Sequence, residues 1–266
     1  MAFRTRFAPS PTGYLHLGHA FSALTAFDAA QAAGGECLLR IEDIDHTRCR
    51  PAFEAAIHED LAALGLTWPE PVLRQSEHLA DYQAALDRLR DMGVVYADAH
   101  TRKGQAEAAL GAPQEGDTQG HEPAPPAWRL SLDAARRVLG PRYAALSFVD
   151  DRRGECRAVP ELNGDVVLGR KDIGVAYHLC VVVDDARQAI SHVIRGHDLS
   201  DATHTQVLLQ ALLGLPRPRY RHHALLLDDQ GRRLAKRKGS RALRDYFAEG
   251  LDAAGIRALI AATPKQ

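Results

Sequence analysis

The sequence predicts an α/β fold built around a parallel sheet, and three segments near its start carry that expectation. Phe3 to Ala8 reads as a short strand that runs into the turn-rich Pro9-Ser10-Pro11-Thr12-Gly13. An alanine-rich stretch from about His19 to Ala33 reads as a helix closed by Gly34-Gly35. Cys37 to Ile41 is then almost continuously apolar, which suits a strand covered on both faces. Strand, helix, strand is a βαβ unit, whose crossover is right-handed and whose strands run parallel.

The remaining elements follow in order. Helices are expected near Ala52–Leu64 and Leu79–Met92, and Val94-Val95-Tyr96 restarts the sheet. Residues 111–126 are rich in glycine and proline and poor in apolar side chains, which predicts a long mobile loop. Trp128 to Leu132 alternates as an edge strand would, and Ser147–Val149 and Asp165–Leu168 look like further strands. Ala176 to Val183 fits a helix or a strand, since a short apolar run does not decide. His192–Gly196 predicts a strand. Asp201–Leu213 predicts a helix, with Asp201 as N-cap and Gly214 just past the end. Ala224–Leu227 predicts a last strand before a turn, a basic segment from Arg232 to Arg244 and a short helical tail.

Bulk properties narrow the function classes. No apolar run in the 266 residues reaches the length of a membrane span, and the N-terminus lacks the apolar core of a signal peptide. The expectation is a cytoplasmic protein with no membrane partner. Four scattered cysteines fit reduced thiols rather than a disulfide framework. A net charge of -1 gives no global field for nucleic acid, so any RNA contact must be local. Arg217, Arg219, Arg221 and the Arg232–Arg244 segment are the places where such a footing is expected.

Four constellations carry chemistry. In the first, Arg6 to His19, a strand ends, a loop turns and a helix begins at Gly18, which places backbone N–H groups and a helix dipole beside any bound phosphate. His16 and His19 can present imidazole donors there. They can equally be polar residues of a helix start, or a metal pair lacking its other ligands. The second is Arg40 to Asp45, at the carboxyl end of a strand, where open α/β sheets bind ligands. A carboxylate such as Glu42 can hold an ammonium there, or the acids can form a solvated loop. The third is Tyr177, His178 and Arg195. A buried arginine after an apolar strand needs an anionic partner, either a ligand carboxylate or a structural aspartate. The fourth is Arg232 to Ser240, a basic loop able to close over phosphates, to face solvent or to touch RNA.

Taken together, these phrases resemble one family, the class I aminoacyl-tRNA synthetases of the glutamyl type. His16-Leu17-Gly18-His19 is similar to their first signature, and Arg233-Leu234-Ala235-Lys236-Arg237 to a variant of their Lys-Met-Ser-Lys-Ser loop. Phe7 to Gly13, Leu39 to Asp43, Val181 to Asp185 and Val193 to Gly196 are family phrases in the same order. The chain stops soon after the basic loop, so it resembles the short branch that places glutamate on the queuosine base of tRNA-Asp and has no anticodon-binding domain.

The resemblance implies a Rossmann-type nucleotide-binding catalytic domain, with halves at 1–95 and 166–266 and an inserted, smaller α+β acceptor-like subdomain at 96–165. Arg6, Ala8, Ser10, Glu42, Tyr177 and Arg195 would bind glutamate, with either Arg6 or Arg195 on its side-chain carboxylate. His16, Gly18, His19 and Lys236 would bind ATP, and His16, His19 and Lys236 would serve catalysis. Mg²⁺ would accompany ATP. Zinc is not expected, because the family's Cys-x-Cys positions fall on Asp98 and His100, with only His121 as a further candidate ligand. Arg233 and Ala235 also depart from the signature loop. The competing readings are a truncated glutamyl-tRNA synthetase, a glutamate ligase for another carrier, and a catalytically dead RNA- or nucleotide-binding module.

Overall fold

The computed structural model describes residues 2–98, 126–228, 230–232, 234 and 241–266. The expected loop at 111–126, except Pro126, lies outside the described residues, as do His100, His121 and Lys236.

The βαβ unit is present as β1 (Arg4–Phe7), α1 (Leu17–Ala32) and β2 (Glu36–Ile41), with Arg4 opposite Glu36 and Phe7 opposite Leu39 in parallel register. Gly34, at φ +61°, turns the chain out of the helix. Gly35 then passes so close to β1 that a Cβ would lie 2.1 Å from the Phe3 carbonyl oxygen. Helix α2 (Pro51–Ala63) leads to β3 (Leu73–Arg74), which extends the parallel sheet beyond β2. Helix α3 (Leu79–Asp91) buries Tyr82, Leu86 and Leu89 along one face.

β4 (Val95–Asp98) does not return to this sheet. It pairs antiparallel with β5 (Ala127–Leu130), which also pairs antiparallel with β8 (Val167–Gly169). The Trp128 strand is therefore central in a small separate sheet rather than an edge. Its alternation looked edge-like because Arg129 reaches across to Asp98 while Arg90 covers the Trp128 ring.

Helices α4 (Leu132–Leu139) and α5 (Pro141–Ala144) precede the hairpin β6 (Ser147–Asp150) and β7 (Gly154–Arg157). Helix α6 (Tyr177–Arg187), β9 (His192–Gly196), α7 (Ser200–Leu213) and β10 (Arg219–His223) complete the second half. Strand order here is β7-β6-β10-β9, with only the hairpin antiparallel. Ser191 joins the halves at the β1–β9 boundary. Its N–H donates to the Arg4 carbonyl at 2.9 Å, and its hydroxyl accepts from the Arg4 N–H at 2.8 Å. Helices α8 (Leu243–Ala248) and α9 (Ala253–Ala262) close the chain, and α9 packs against α1.

Two expectations shift. Among the described residues the last strand is β10 and not Ala224–Leu227, of which Leu226 makes an isolated bridge to Lys265. Arg219, Arg221 and their neighbours look polar, yet Tyr220 and His222 alternate inward and are buried. Helix α7 begins at Ser200 after a 3₁₀ turn at His197–Leu199, so Asp201 sits in its first turn rather than at the cap. Gly214 closes that helix in the left-handed region, as expected.

Candidate active site

The nine described residues to which the resemblance gave a role in binding or catalysis line one cavity of about 630 Å³: Arg6, Ala8, Ser10, His16, Gly18, His19, Glu42, Tyr177 and Arg195. Ala8 follows β1, Glu42 follows β2 and Arg195 ends β9 but for Gly196, so the carboxyl ends of three strands open on the same space. The loops are tied together where the Glu42 N–H donates to the Pro9 carbonyl at 3.1 Å.

The start of α1 fixes both signature histidines. His16 is the N-cap, and its Nδ1 accepts from the Gly18 N–H at 3.1 Å. The His16 N–H in turn donates to His19 Nδ1 at 3.1 Å, a reciprocal capping box made of two imidazoles. A ring nitrogen that accepts a hydrogen bond carries no proton, so each ring bears its hydrogen on Nε2. The pair therefore offers Nε2–H donors where the helix dipole is positive. Gly18 makes room for this: a Cβ there would lie 2.9 Å from His16 Cε1.

The acidic run after β2 divides. Asp43 accepts from the Ser76 N–H at 2.8 Å and from its hydroxyl at 2.6 Å. Asp45 accepts from Thr47, Arg48 and Arg170. Both are structural, and only Glu42 faces the cavity. Arg40, a motif residue to which the sequence assigned no role, holds Glu42 in place. Its side chain is fully buried and donates to Glu42 Oε1 at 3.0 Å, to Asp185 Oδ1 at 2.7 Å and to Gln188 Oε1 at 3.1 Å. Arg6 shares the same Asp185 oxygen through Nε at 3.0 Å. Asp184 completes the cluster, receiving Gln75 at 2.7 Å and the Tyr82 hydroxyl at 2.8 Å. Burial pushes the Glu42 carboxyl up, and Arg40 and Arg6 pull it back. Burial would also raise Asp185, but Arg6 and Arg40 hold it below the usual carboxylate range.

Arg195 differs from Arg6 and Arg40. Its hydrogen-bond partners are neutral: Nη2 donates to Thr203 Oγ1 at 2.7 Å and Nε to His222 Nε2 at 3.5 Å. Its Nη1 is buried with no hydrogen-bond partner among the described residues. Tyr177, the first residue of α6, lies alongside, its hydroxyl pushed up by burial. His178 does not line the cavity. Its Nδ1 is buried without a partner, and burial followed by the charge of Arg195 pushes the ring down to about 4.

The cavity also contains residues the sequence did not single out, among them Ser22, Asp198, His223 and Leu225. Ser22 lies three residues beyond His19 on the same helix face, so helical period was a usable signal. His223 escaped because the last strand was placed a few residues late. Leu234 also lines the cavity, and its N–H donates to the Leu226 carbonyl at 3.2 Å. Leu234 is the residue of the basic signature that the structure describes.

Residues 2–260 match the family described as tRNA synthetases class I (E and Q), catalytic domain. The chain is 48% identical to a glutamyl-Q tRNA(Asp) synthetase of Rhodobacter capsulatus, over 96% of this chain and 99% of that one. It is 38% identical to a glutamate–tRNA ligase of Prochlorococcus marinus, covering 95% of this chain and 56% of the relative. A crystal structure of a glutamate tRNA ligase from Elizabethkingia meningosepticum, in complex with its amino acid, superposes with a TM-score of 0.70 at 27% identity. The match covers 90% of this chain and 53% of that one.

The Arg40 cluster makes the first prediction. Removing one member of a buried ion cluster leaves its partners uncompensated, at a cost of about 3–5 kcal/mol. Arg40→Met is expected to lower the urea unfolding free energy by roughly that amount, and an unchanged midpoint would contradict the role given to Arg40. A second prediction concerns pH. Burial pushes His178 and His222 down from 6.5 to about 4, so the fold keeps both rings neutral where the unfolded chain takes up protons. Their contribution to stability is complete above pH 6.5 and is lost as pH falls towards 4. Unfolding measured from pH 7 to 4.5 should show this slope, and His178→Phe should flatten it by up to about 1.4 kcal/mol per pH unit.

Proposed function

Because the chain belongs to the class I tRNA synthetases of the E and Q type, we propose that it joins glutamate to ATP as glutamyl-adenylate without needing tRNA, then transfers the glutamate to the queuosine base of tRNA-Asp. The observation that carries this reading is the arrangement of opposite charges in one cavity beside a helix start. Glu42 is set to receive an ammonium, and Arg195 is a buried guanidinium lacking a carboxylate partner among the described residues. Arg195 therefore takes the glutamate side-chain carboxylate, for which a planar guanidinium is the apt partner, with Tyr177 beside it. Arg6, already committed to Asp185 through Nε, supports the cavity wall with Ala8 and Ser10.

The glutamate α-carboxylate attacks the α-phosphorus of ATP, a phosphorus–oxygen bond forms, and pyrophosphate leaves. His16 and His19 donate from Nε2 to phosphate oxygens, Gly18 lets the nucleotide approach, and Lys236 meets the leaving charge. A hydroxyl of the modified base then attacks the adenylate carbonyl and AMP leaves. This is catalysis by alignment and charge stabilisation. Mg²⁺ would accompany the phosphates and spread their charge. Among the described residues no group of three or more His, Cys, Asp or Glu is gathered to hold a metal. Asp98, one of the positions considered for zinc, is ion-paired to Arg129 at 2.5 Å. The proposed division into catalytic halves at 1–95 and 166–266 around a 96–165 insertion agrees only in part with the sheets: β4–β5–β8 forms a separate sheet that reaches past 165, whereas β6 and β7, within those bounds, join β10 and β9.

For the RNA footing a further place joins those expected from the sequence, of which residues 233 and 235–240 of the Arg232–Arg244 segment lie outside the described residues. Arg219 and Arg221 both pair with Asp151, and Arg217 donates to the Ser147 carbonyl. In the β6–β7 turn, Arg152 and Arg153 are exposed and have no carboxylate partner among the described residues. Among the described residues the Arg153 guanidinium meets His197, at 3.3 Å. These two carry the phosphate contacts beside the cavity.

Glutamate-dependent ATP–pyrophosphate exchange, and charging of tRNA from cells with and without queuosine, test the reading. Efficient charging of unmodified tRNA-Glu would replace the queuosine assignment by a truncated-synthetase one, and the absence of exchange would remove both. Lys236→Ala should reduce exchange about a hundred- to a thousandfold with ATP affinity changed far less, whereas Lys238→Ala should not; equal small losses would remove Lys236 from the catalytic set. Replacing Arg152 and Arg153 together by alanine should leave exchange intact. It should weaken RNA binding and reduce its log–log salt dependence by roughly 0.7–0.9 for each phosphate no longer neutralised; an unchanged slope would place the footing elsewhere.

A further inference from the structure

Behind Arg195 stands a buried polar chain that the proposed chemistry does not use. Asp150 ends β6, His222 lies on β10 and Thr203 is in the first turns of α7, so three elements converge on one guanidinium at the end of β9. Their relative exposures are 1%, 5% and 0%, and that of Arg195 is 5%, so water cannot stand in for a missing partner. His222 Nδ1 is 2.7 Å from Asp150 Oδ2. A carboxylate only accepts, so the hydrogen is on Nδ1 and Nε2 is left as an acceptor. Thr203 Oγ1 lies 3.2 Å from that Nε2 and donates to it, and the nitrogen's one lone pair is shared with the longer contact from Arg195 Nε at 3.5 Å. The lone pairs of the hydroxyl are then turned to Arg195 Nη2, which donates at 2.7 Å. Every proton in the chain is placed in turn, beginning from Asp150.

We propose that Asp150, His222 and Thr203 are positioning residues that clamp the Arg195 guanidinium in one orientation, so that its remaining edge receives the ligand carboxylate with its geometry already set. This rests on the reading of the cavity as a glutamate site and deepens it. The neutrality of His222 is part of the device, because a protonated ring would turn an N–H towards Thr203 and a second cation towards the guanidinium. Burial keeps the ring neutral, pushing it down to about 4 against the pull of Asp150. The Tyr220 ring, 5.7 Å from the guanidinium carbon, limits its swing on another side. A ready-oriented guanidinium loses less freedom when the ligand binds, which favours affinity for the carboxylate rather than the rate of the step at phosphorus.

The test separates this clamp from the activity it serves. Thr203→Val keeps the shape and deletes the hydroxyl, and Thr203→Ser restores it. In pyrophosphate exchange, Thr203→Val should raise KM for glutamate about tenfold or more, the size of one hydrogen bond to a charged group, with KM for ATP and kcat within about twofold. Thr203→Ser should remain close to wild type. His222→Gln, which also removes the imidazole acceptor, should move KM for glutamate in the same direction and guards against a Thr203 variant that folds poorly. The second measurement needs no ligand. The guanidinium N–H signals of Arg195, assigned in ¹⁵N spectra by their disappearance in Arg195→Lys, should exchange slowly with water in wild type and Thr203→Ser and fast in Thr203→Val. An unchanged glutamate KM, equal rises for glutamate and ATP, or fast exchange in the wild type would each overturn the clamp. A wild type with slowly exchanging Arg195 signals but no glutamate-dependent activity would keep the clamp and overturn the proposed function.

Discussion

The site depends above all on one buried carboxylate. Asp185 receives Arg6 from β1 and Arg40 from β2 on a single oxygen, at 3.0 and 2.7 Å, and is itself carried by α6. Without that bridge, two guanidinium groups would face each other at the carboxyl edge of the sheet in a region of low dielectric. With it, the strand carrying Arg6, the strand leading to Glu42 and the helix that begins at Tyr177 are locked in register. The desolvation cost of such a cluster is high, and an apolar cluster would serve stability as well. What charge adds is direction. Glu42 is held by Arg40 at 3.0 Å in one rotamer, and Asp184 is held from its other side by Gln75 and Tyr82.

The same network explains why the three acids of β2's exit loop have different fates. Glu42 is the first residue past the strand and stays within reach of Arg40, two residues back on the same side of the strand. Asp43 and Asp45 turn away to hold the Ser76 turn and the Thr47–Arg48 turn. Composition cannot separate these acids, since all three are carboxylates in one short loop. Strand parity separates them.

That distinction marks how far the sequence could be read. The βαβ unit, the helix at 79–91 and the strand at 192–196 were legible because each has a strong period and plain punctuation by glycine or a turn. Nine residues of the cavity lining were legible because they sit in short phrases at strand ends and helix starts. Long-range polar pairing was not legible. Nothing local to Arg40 shows that its partners lie at positions 184, 185 and 188, and nothing local to Thr203 or His222 shows that they meet Arg195. β10 was missed for a related reason: its inward residues are tyrosine and histidine, whose burial is made tolerable by Gln210 and Asp150 from distant elements. A strand whose core face is polar has no apolar alternation to display.

Charge balance around the cavity then gives the polar network its chemical sense. Arg6 and Arg40 share Asp185, and Arg40 also meets Glu42 and Asp184, so two cations are set among three carboxylates. Arg195 is a third cation, and its hydrogen-bond partners are neutral. Formally these six charges cancel, so this cluster by itself adds little net field with which to attract a ligand. It discriminates by placement instead. An excess of negative charge collects around Glu42 and an unshared positive charge stands at Arg195. In the proposed site, a ligand with an ammonium at one end and a carboxylate at the other would lie along that axis, and a neutral side-chain amide in place of the carboxylate would leave the guanidinium uncompensated in a buried setting. Leaving a buried charge unmatched costs more than an imperfect fit between neutral groups. In the proposed site, selectivity for an acidic side chain would follow from the lack of a carboxylate partner for Arg195 among the described residues, and the residues that orient its guanidinium would matter as much as those that touch the ligand.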